Sequence, residues 1–181
     1  MASHSNNAQF IDTDYEQNQY FCFFVAEKIF AVPVKRVTEI IELDRVRPIP
    51  RVPDHLIGVV NLRGSIIPIV SLAKLLGLRE LRGLSEKNSE ITADKKSKSC
   101  VVMIEIFVEE EIMNIGMLID QVHQVIEMDE KEITEPPSIG MDMKRENIVG
   151  VSRFNEKCVT VLNLDKLFSI QSVAYLSYAE N

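Results

Sequence analysis

The histidines, glycines and acidic residues of this sequence do not form a pattern that would support catalysis. His4, His55 and His123 are isolated from one another and from the cysteines, so none lies in a cluster of the kind that holds zinc. The glycines never approach the spacing of a phosphate-binding loop, and no nucleophile-elbow motif occurs. The acidic run Glu109–Glu111 falls at a predicted strand turn, where solvated carboxylates are typical. The sequence therefore favours a binding module over an enzyme, with no metal and no cofactor.

The cysteines and the apolar segments bear on the compartment. Cys22, Cys100 and Cys158 are far apart and odd in number, which fits a reducing environment better than a disulfide scaffold. Each lies in an apolar, strand-like run, so we expect all three to act as small core residues. The first residues contain no apolar signal core, and no apolar segment approaches the ~20 residues that span a bilayer. We expect a cytoplasmic protein that does not insert into a membrane.

One arginine interrupts a stretch that otherwise has the pattern of buried β-structure. In Gly58–Val70, two apolar segments flank the triplet Arg63-Gly64-Ser65. A glycine beside a polar residue is typical of a hairpin turn, and a turn arginine is commonly only solvated. The alternative is that Arg63 contacts a partner, and the rest of the chain decides between the two.

The charge of the chain excludes one class of partner. The formal net charge is −7, which argues against a nucleic-acid surface because such a surface needs clustered Lys and Arg. The basic cluster Asp94–Lys98 contains an acid and lies in a polar stretch. We interpret residues 79–98 as a polar linker and residues 1–18 as a flexible N-terminal segment.

Short apolar runs bounded by turn residues predict a mostly β protein. The predicted strands are Tyr20–Ala26, Ile29–Val34, Val37–Leu43, Gly58–Leu62, Ile66–Val70, Cys100–Val108, Ile112–Ile119, Val122–Met128, Ile148–Phe154 and Cys158–Leu162. Leu72–Leu76, followed by Gly77, predicts a short helix with a glycine C-cap, and Leu164–Tyr178 predicts a closing helix. Many short strands with few helices indicate small barrels or a sandwich.

The two halves of the sequence repeat. Ala31–Asp44 runs in step with Gly116–Asp129, and Ile67–Leu76 runs in step with Val159–Phe168. Self-similarity on this scale indicates two related β-units, one in each half. Neither half is large enough to bury a generous core alone, so we expect the units to pack together with a groove between them.

The repeat also bears on Arg63. In the same register the second copy has Asn155 in place of Arg63 and Glu156 in place of Gly64. The hairpin can therefore be built without Arg-Gly, and the turn itself does not demand an arginine. This favours a functional role for Arg63 at the surface.

The stretch Ile57–Val70 strongly resembles the hallmark of the CheW family, the coupling proteins of bacterial chemotaxis. The likeness continues, in the right order over roughly residues 20–170, through Val34–Ile41, Gly116–Val122, Ile133–Pro137, Ile148–Val151 and Val161–Leu167. A lone Asn-Leu-Arg-Gly would be a weak signal, whereas this ordered set is specific.

The resemblance implies a fold and a function. The fold is two packed SH3-like five-stranded β-barrels with short helices, including a C-terminal helix. It assigns residues 19–170 to a CheW-like domain of two internally repeated barrel subdomains, and residues 171–181 to a helix end or tail. It implies a non-catalytic scaffold that bridges methyl-accepting chemotaxis receptors to the regulatory domain of a CheA-type histidine kinase. One barrel face would meet the kinase's homologous domain, and the receptor hairpin would lie along a groove.

Five residues carry over by motif as partner-binding residues. Arg63 and Gly64 match the family's Asn-Leu-Arg-Gly turn, and Gly58 matches the glycine that opens the hairpin strand. Val37 and Glu39 match the strand implicated in receptor and kinase coupling. We expect Val37 to present an apolar knob to a receptor helix, with core packing as the alternative. We expect Glu39 to pair with Arg63 across the groove, with a solvated strand edge as the alternative.

The sequence departs from the family after the hairpin, and other interpretations remain. Many members have Asp-Leu-Arg where this chain has Ser71-Leu72-Ala73, which puts partner contacts there in doubt. An adaptor of a non-flagellar pathway, serving type IV pili or cyclic-dinucleotide signalling, is the first alternative. A small-barrel oligonucleotide binder is a remote one, because it needs a basic groove with stacking aromatics, and the chain has 8 Phe, 4 Tyr and no Trp.

Overall fold

The computed structural model describes residues 18–78, 99–108, 110–137 and 143–168. In chain order its elements are β1 Gln19–Val25, β2 Lys28–Pro33, β3 Val37–Glu42, β4 Leu56–Leu62, β5 Ser65–Ser71, α1 Leu72–Leu75, β6 Cys100–Val108, β7 Glu111–Ile119, β8 Gln121–Glu127, β9 Ile148–Phe154, β10 Lys157–Leu162 and α2 Leu164–Leu167. All ten predicted strands are confirmed. Of the predicted closing helix, the described part is α2, and the rest lies outside the described residues, as do the linker 79–98 and residues 1–17.

Three of the hairpins turn through two residues that both have positive φ. The pairs are Ala26 with Glu27, Arg63 with Gly64, and Asn155 with Glu156. Positive φ at both central residues is the signature of a type I′ turn, whose twist matches that of the flanking strands. Glycine occupies only one of these six positions, so strand pairing imposes the left-handed backbone on the other five.

The strands form two five-stranded sheets that exchange strands between the sequence halves. One sheet has the order β8-β1-β2-β10-β9, and the other has the order β3-β6-β7-β5-β4. Each sheet takes its first hairpin from one repeat and its other three strands from the other repeat. Isolated bridges, Arg47 with Val59 and Thr134 with Val151, close the two sheets into small barrels.

This exchange corrects the expectation that each half forms its own β-unit. The physical reason lies in the connections. Only Val34–Arg36 separates β2 from β3, and only Asp120 separates β7 from β8. Links this short carry the chain directly from one sheet into the other, where β3 pairs with β6 and β8 pairs with β1.

The register confirms the repeat itself. Val161 lies opposite Ala31 in the parallel pair β10–β2, and Ile69 lies opposite Gly116 in the parallel pair β5–β7. Both pairs occupy the same place in the repeat alignment. The two barrels are therefore built alike, with the roles of the two halves interchanged.

The buried apolar side chains of the described residues form three clusters. One, around Ala31 and Val161, lies within the first sheet, and a second, around Ile69 and Met103, lies within the other. The largest contains buried side chains of both sheets, among them Phe23, Phe30 and Ile104, and so lies between the barrels. This shared cluster contains more buried residues than either of the other two clusters. The expectation that the two units pack together is therefore confirmed.

The cysteines differ in their surroundings. Cys22 is buried and Cys100 is half-buried, and burial raises the pKa of the Cys22 thiol to about 11 and also raises the pKa of Cys100. Cys158 is exposed on β10, so the expectation of a core position is wrong for this residue. The error arose because strand alternation alone does not show which face is solvated. Among the described residues, no helix has the length and apolar character needed to cross a membrane.

Candidate functional site

Arg63 lies at the exposed tip of the β4–β5 hairpin. Its backbone has a φ of 52°, and the amide of Gly64 donates a hydrogen bond to Asn61 Oδ1 at 3.1 Å, which closes the turn. Within the part of the chain that the structure describes, the Arg63 guanidinium forms no ion pair and no side-chain hydrogen bond. The charge at the tip is therefore available to a partner.

The second repeat provides a matched comparison for this turn. Asn155 and Glu156 connect β9 to β10 with φ angles of 47° and 63°, and Asn155 stands where the first repeat has Arg63. The same turn thus forms with a neutral residue in place of the arginine. This supports the inference that folding does not select Arg63.

Strand β3 is irregular where the predicted coupling residues lie. Val37 pairs with Ile104 and Glu39 pairs with Met103, so Thr38 is an additional residue between them. The Thr38 hydroxyl donates a hydrogen bond to the Met103 carbonyl at 3.3 Å. Such a bulge re-aims the side chains on either side of it. Val37 consequently turns towards the cluster between the barrels and is half-buried against it.

The predicted pairing of Glu39 with Arg63 is wrong. No ion pair joins the two side chains in the described ranges, and Glu39 is half-buried without a charged partner there. The topology gives the reason. In the sheet order β3-β6-β7-β5-β4, β3 pairs with neither β4 nor β5, so no strand register places Glu39 opposite the hairpin tip that carries Arg63.

The structure adds Ile40 to the candidate site. This side chain is 45% exposed on β3, between the two predicted coupling residues and Glu42. Sequence reasoning missed it because Ile40 and Ile41 are both apolar and only the register shows that Ile41 is the buried one. The equivalent residue on β8, Val125, is likewise exposed, at 53%.

Gly58 is buried, and it affects the shape of the site by allowing close backbone packing. A Cβ atom at this position would overlap the carbonyl oxygen of Arg47 and lie 2.9 Å from Val46 Cγ1. The backbones of Arg47 and Val59 exchange two hydrogen bonds, at 2.7 and 2.9 Å, directly above the glycine. Gly58 therefore lets the segment before β4 lie flat on that strand.

A shallow groove lies beside the hairpin. It is lined by Asp44, Arg45, Arg47, Val60 and Asn61. Asn61 also caps the Arg63 turn, so the groove and the turn form one surface. The name hairpin face is used for this surface with Arg63 and Gly64, together with Val37, Glu39 and Ile40 of β3 in the same sheet.

The departure at Ser71 retains a structural function. Ser71 is buried and its hydroxyl accepts a hydrogen bond from the Lys74 amide at 3.4 Å, which caps α1. Asn163 caps α2 in the same way, accepting from the Lys166 amide at 3.2 Å. A serine thus supplies the capping oxygen that an aspartate would supply, without its charge.

Arg36 anchors the start of β3. Its Nε donates to the Glu105 carbonyl at 2.7 Å, its Nη2 forms an ion pair with Asp165 on α2, and its guanidinium lies 4.6 Å from the centre of the Phe107 ring. The side chain is largely buried, with 15% of its surface exposed. Arg36 directly precedes Val37, so these contacts fix where the coupling strand begins.

We expect Arg36→Ala to lower the free energy of unfolding by about 2 kcal/mol, because a charged hydrogen bond to a part-buried backbone carbonyl is lost. The free energy of unfolding of Arg36→Lys should lie between those of the unaltered protein and Arg36→Ala, since lysine keeps the charge but cannot reproduce the planar fork of hydrogen-bond donors. Urea unfolding followed by circular dichroism measures both. Arg153→Ala, at an exposed arginine on β9, is the control and should change the value by less than about 0.5 kcal/mol. Equal losses at Arg36 and Arg153 would contradict the anchoring role.

The residues that the structure describes contain no group of three or more His, Cys, Asp and Glu arranged to hold a metal ion. His123 lies on β8 with its ring 4.9 Å from that of Phe24, and His55 lies apart from it before β4. His4 is outside the described residues. The side chains that the hairpin face exposes are therefore apolar and charged groups, and its chemistry is that of a binding surface.

Comparison with known proteins identifies the family. The model of the CheW-like domain matches residues 19–172. A chemotaxis protein CheW of Treponema pallidum is 30% identical over 162 residues, covering 90% of this chain and 88% of that protein. Protein FrzA of Myxococcus xanthus is 26% identical over 153 residues, covering 83% and 85% of the two chains.

A solved structure confirms the fold. The scaffolding protein TtCheW of Thermoanaerobacter tengcongensis superposes with a TM-score of 0.70, covering 94% of this chain and 96% of that one at 22% identity. The predicted architecture of two packed five-stranded barrels with few helices is thus confirmed. With a family model that spans most of its length, this chain belongs to the CheW-like family.

Proposed function

We propose that this chain is a non-catalytic cytoplasmic adaptor that couples methyl-accepting chemotaxis receptors to a CheA-type histidine kinase. Membership of the CheW-like family supports a role in chemosensory signalling. The observation that carries the proposal is Arg63, an exposed cation at a turn whose counterpart in the second repeat is built without it. A cation that folding does not require is best explained by a partner.

The chemistry of the hairpin face suits a helical partner with an apolar stripe and an acidic group. Ile40, with the half-buried Val37 beside it, offers apolar area on β3. Arg63 offers a cation at the tip of the β4–β5 hairpin, and Glu39 an anion that has no charged partner in the described ranges. Opposite charges at separate edges fix the register of a bound helix, which gives specificity more than affinity. Gly58 and Gly64 shape the backbone that holds these groups.

Capture of the chain from a lysate of its own organism tests the proposal. The bound proteins are identified by mass spectrometry, beside an Arg63→Glu sample at equal loading. A histidine kinase and methyl-accepting receptors should be recovered with the unaltered chain and depleted in the variant. Recovery of neither, or equal recovery with both samples, would overturn the proposal.

The match to FrzA supports a second candidate, an adaptor of a non-flagellar chemosensory pathway. The hairpin face would serve the same two partner classes there. The identity of the captured kinase separates the candidates, because the output domains and the neighbouring response regulators differ between pathways for flagella, pili and cyclic dinucleotides.

A further inference from the structure

Arg47 and Thr134 occupy equivalent places in the two barrels. Each forms the isolated bridge that closes its barrel. The carbonyl oxygen of each also lies against a glycine, Gly58 in one barrel and Gly150 in the other. These contacts align the two closing segments by their structure, without reference to the similarity of their sequences.

The aligned segments differ in charge. Arg45 ends a short 3₁₀ turn two residues before the first bridge, and Glu132 ends the equivalent turn two residues before the second. In the adjacent hairpin, Asn155 stands where the first repeat has Arg63. Three arginines of one barrel are thus replaced by a carboxylate, a hydroxyl and an amide in the other. Since the second barrel closes without them, closure does not select these arginines.

The three arginines border one groove. Arg45 and Arg47 line it with Asn61, whose Oδ1 accepts the hydrogen bond that closes the turn of Arg63. All three arginine side chains are exposed, and none forms an ion pair or a side-chain hydrogen bond with another described residue. We call the groove with these three residues the arginine groove.

An exposed apolar side chain lies beside the arginine groove. Ile66 is 58% exposed and lies opposite Asn61 in the register of β4 and β5. Residues opposite one another across a hairpin project from the same face of the sheet. A bound segment can therefore contact Ile66 and the arginines together.

Carboxylates are the groups that complement the arginine groove. A guanidinium binds a carboxylate through two parallel hydrogen bonds. The chain as a whole has a formal net charge of −7, so an acidic segment is repelled by most of the surface and attracted here. Nucleic acid suits the groove less well. Asp44 would repel phosphates, and the described lining has no aromatic side chain on which a base could stack.

We propose that the arginine groove binds an acidic segment of a partner protein. Arg45, Arg47 and Arg63 donate hydrogen bonds to its carboxylates, and Ile66 contacts an aliphatic side chain next to them. Arg45 and Arg47 thereby select the partner together with Arg63. This inference rests on the proposed function, to which it adds the chemistry of the segment that the adaptor recognises.

Photo-crosslinking from position 66 tests the proposal with the full chain in its own organism. Ile66 is replaced by p-benzoylphenylalanine, and the peptides that become attached on irradiation are identified by mass spectrometry. The attached segments should carry clustered Asp and Glu. Arg45→Gln combined with Arg47→Gln should lower the yield of these adducts several-fold, because two of the three cations are lost.

Lys131→Gln combined with Arg153→Gln is the matched control. Both side chains are exposed on the other barrel, and the substitutions remove the same charge from the chain. The yield of adducts from position 66 should not change. Circular dichroism of the purified variants verifies that each remains folded.

Four results would overturn the proposal. The first is an equal yield of adducts from the arginine variant and the control. The others are attachment to nucleic acid, attachment to a second copy of this chain, and attachment to protein segments without clustered carboxylates.

The adducts also separate this inference from the proposed function. An acidic segment of a protein that is neither a receptor nor a kinase, attached only when the arginines are present, would support the arginine groove and overturn the proposed function. Receptor or kinase segments attached equally without Arg45 and Arg47 would support the proposed function and overturn this inference.

A synthetic peptide with the sequence of the attached segment gives a second readout. Its affinity for the purified chain, measured by fluorescence anisotropy, should fall several-fold in the arginine variant and as sodium chloride rises. A peptide with Asn and Gln in place of Asp and Glu should bind several-fold more weakly. Equal affinities for the two peptides would contradict recognition through carboxylates.

Discussion

Replacing Arg63 with glutamate is expected to reduce receptor-stimulated kinase activity at least tenfold while leaving the fold intact. The side chain lies at an exposed turn and has no ion-pair partner in the described ranges, so its loss removes no internal contact. Stability should change by less than about 0.5 kcal/mol, as is usual for such surface substitutions. Binding should suffer far more, because a reversed charge places like charges against the partner, and about 1.4 kcal/mol already corresponds to tenfold.

Asn155→Glu is the matched control for Arg63→Glu. It adds a carboxylate to the equivalent turn of the other barrel, where φ is 47° rather than 52°. Kinase activity in the presence of receptor, a melting curve and circular dichroism are measured on the same samples. A comparable loss of activity in the control would mean that added negative charge, not the hairpin face, is responsible. A lowered melting transition in Arg63→Glu would instead assign the residue to folding.

Gly58→Ala should be the most destabilising of the site substitutions. The added Cβ would overlap the Arg47 carbonyl oxygen and come within 2.8 Å of its carbon. These are backbone atoms held by the two hydrogen bonds to Val59, so they cannot move aside as the end of a side chain would. We expect a loss of roughly 2–4 kcal/mol, which is typical of overpacking that displaces backbone. For a domain of this size the melting temperature should fall by roughly 5–15 °C.

Two further glycines calibrate this result. Gly64→Ala meets no atom within 4 Å and should lose only about 1 kcal/mol, because its φ of 89° disfavours a side chain. Gly150→Ala meets the Thr134 carbonyl oxygen at 2.5 Å, the same arrangement in the other barrel, and should match Gly58→Ala. Differential scanning calorimetry ranks the three. If Gly58→Ala destabilises the protein no more than Gly64→Ala does, the backbone at the closure of the barrel accommodates a Cβ atom more easily than the geometry indicates.

Much of the fold was accessible from sequence because its determinants are local. Alternating apolar residues and two-residue turns defined all ten strands, and Gly77, with a φ of 67°, ended the helix that it was predicted to cap. The pairing of the halves was not accessible. The repeat shows which residues are equivalent, but a strand's partner in space depends on which sheet a three-residue connection enters, and both choices preserve the same alternation.

In the candidate site, too, local features could be predicted from the sequence and spatial relations between strands could not. Exposure of Arg63 followed from turn chemistry and from comparison with Asn155. The ion pair with Glu39 did not form, because proximity across a barrel depends on the order of strands in the sheet. Ile40 was missed because a bulge at Thr38 sets which face of β3 is solvated, and nothing in the residue types announces a bulge.

The exchange of strands gives this single chain the form of a domain-swapped dimer fused into one polypeptide. Each repeat contributes a hairpin to one barrel and three strands to the other, so neither repeat contains a complete barrel. One repeat expressed alone would have to associate with a second copy before any barrel could close. In the fused chain both repeats are always present, so the barrels close within one molecule. Displacement of β3 disturbs one barrel directly and the other through the short connection at Val34–Arg36. The two barrels are therefore expected to melt as one cooperative unit.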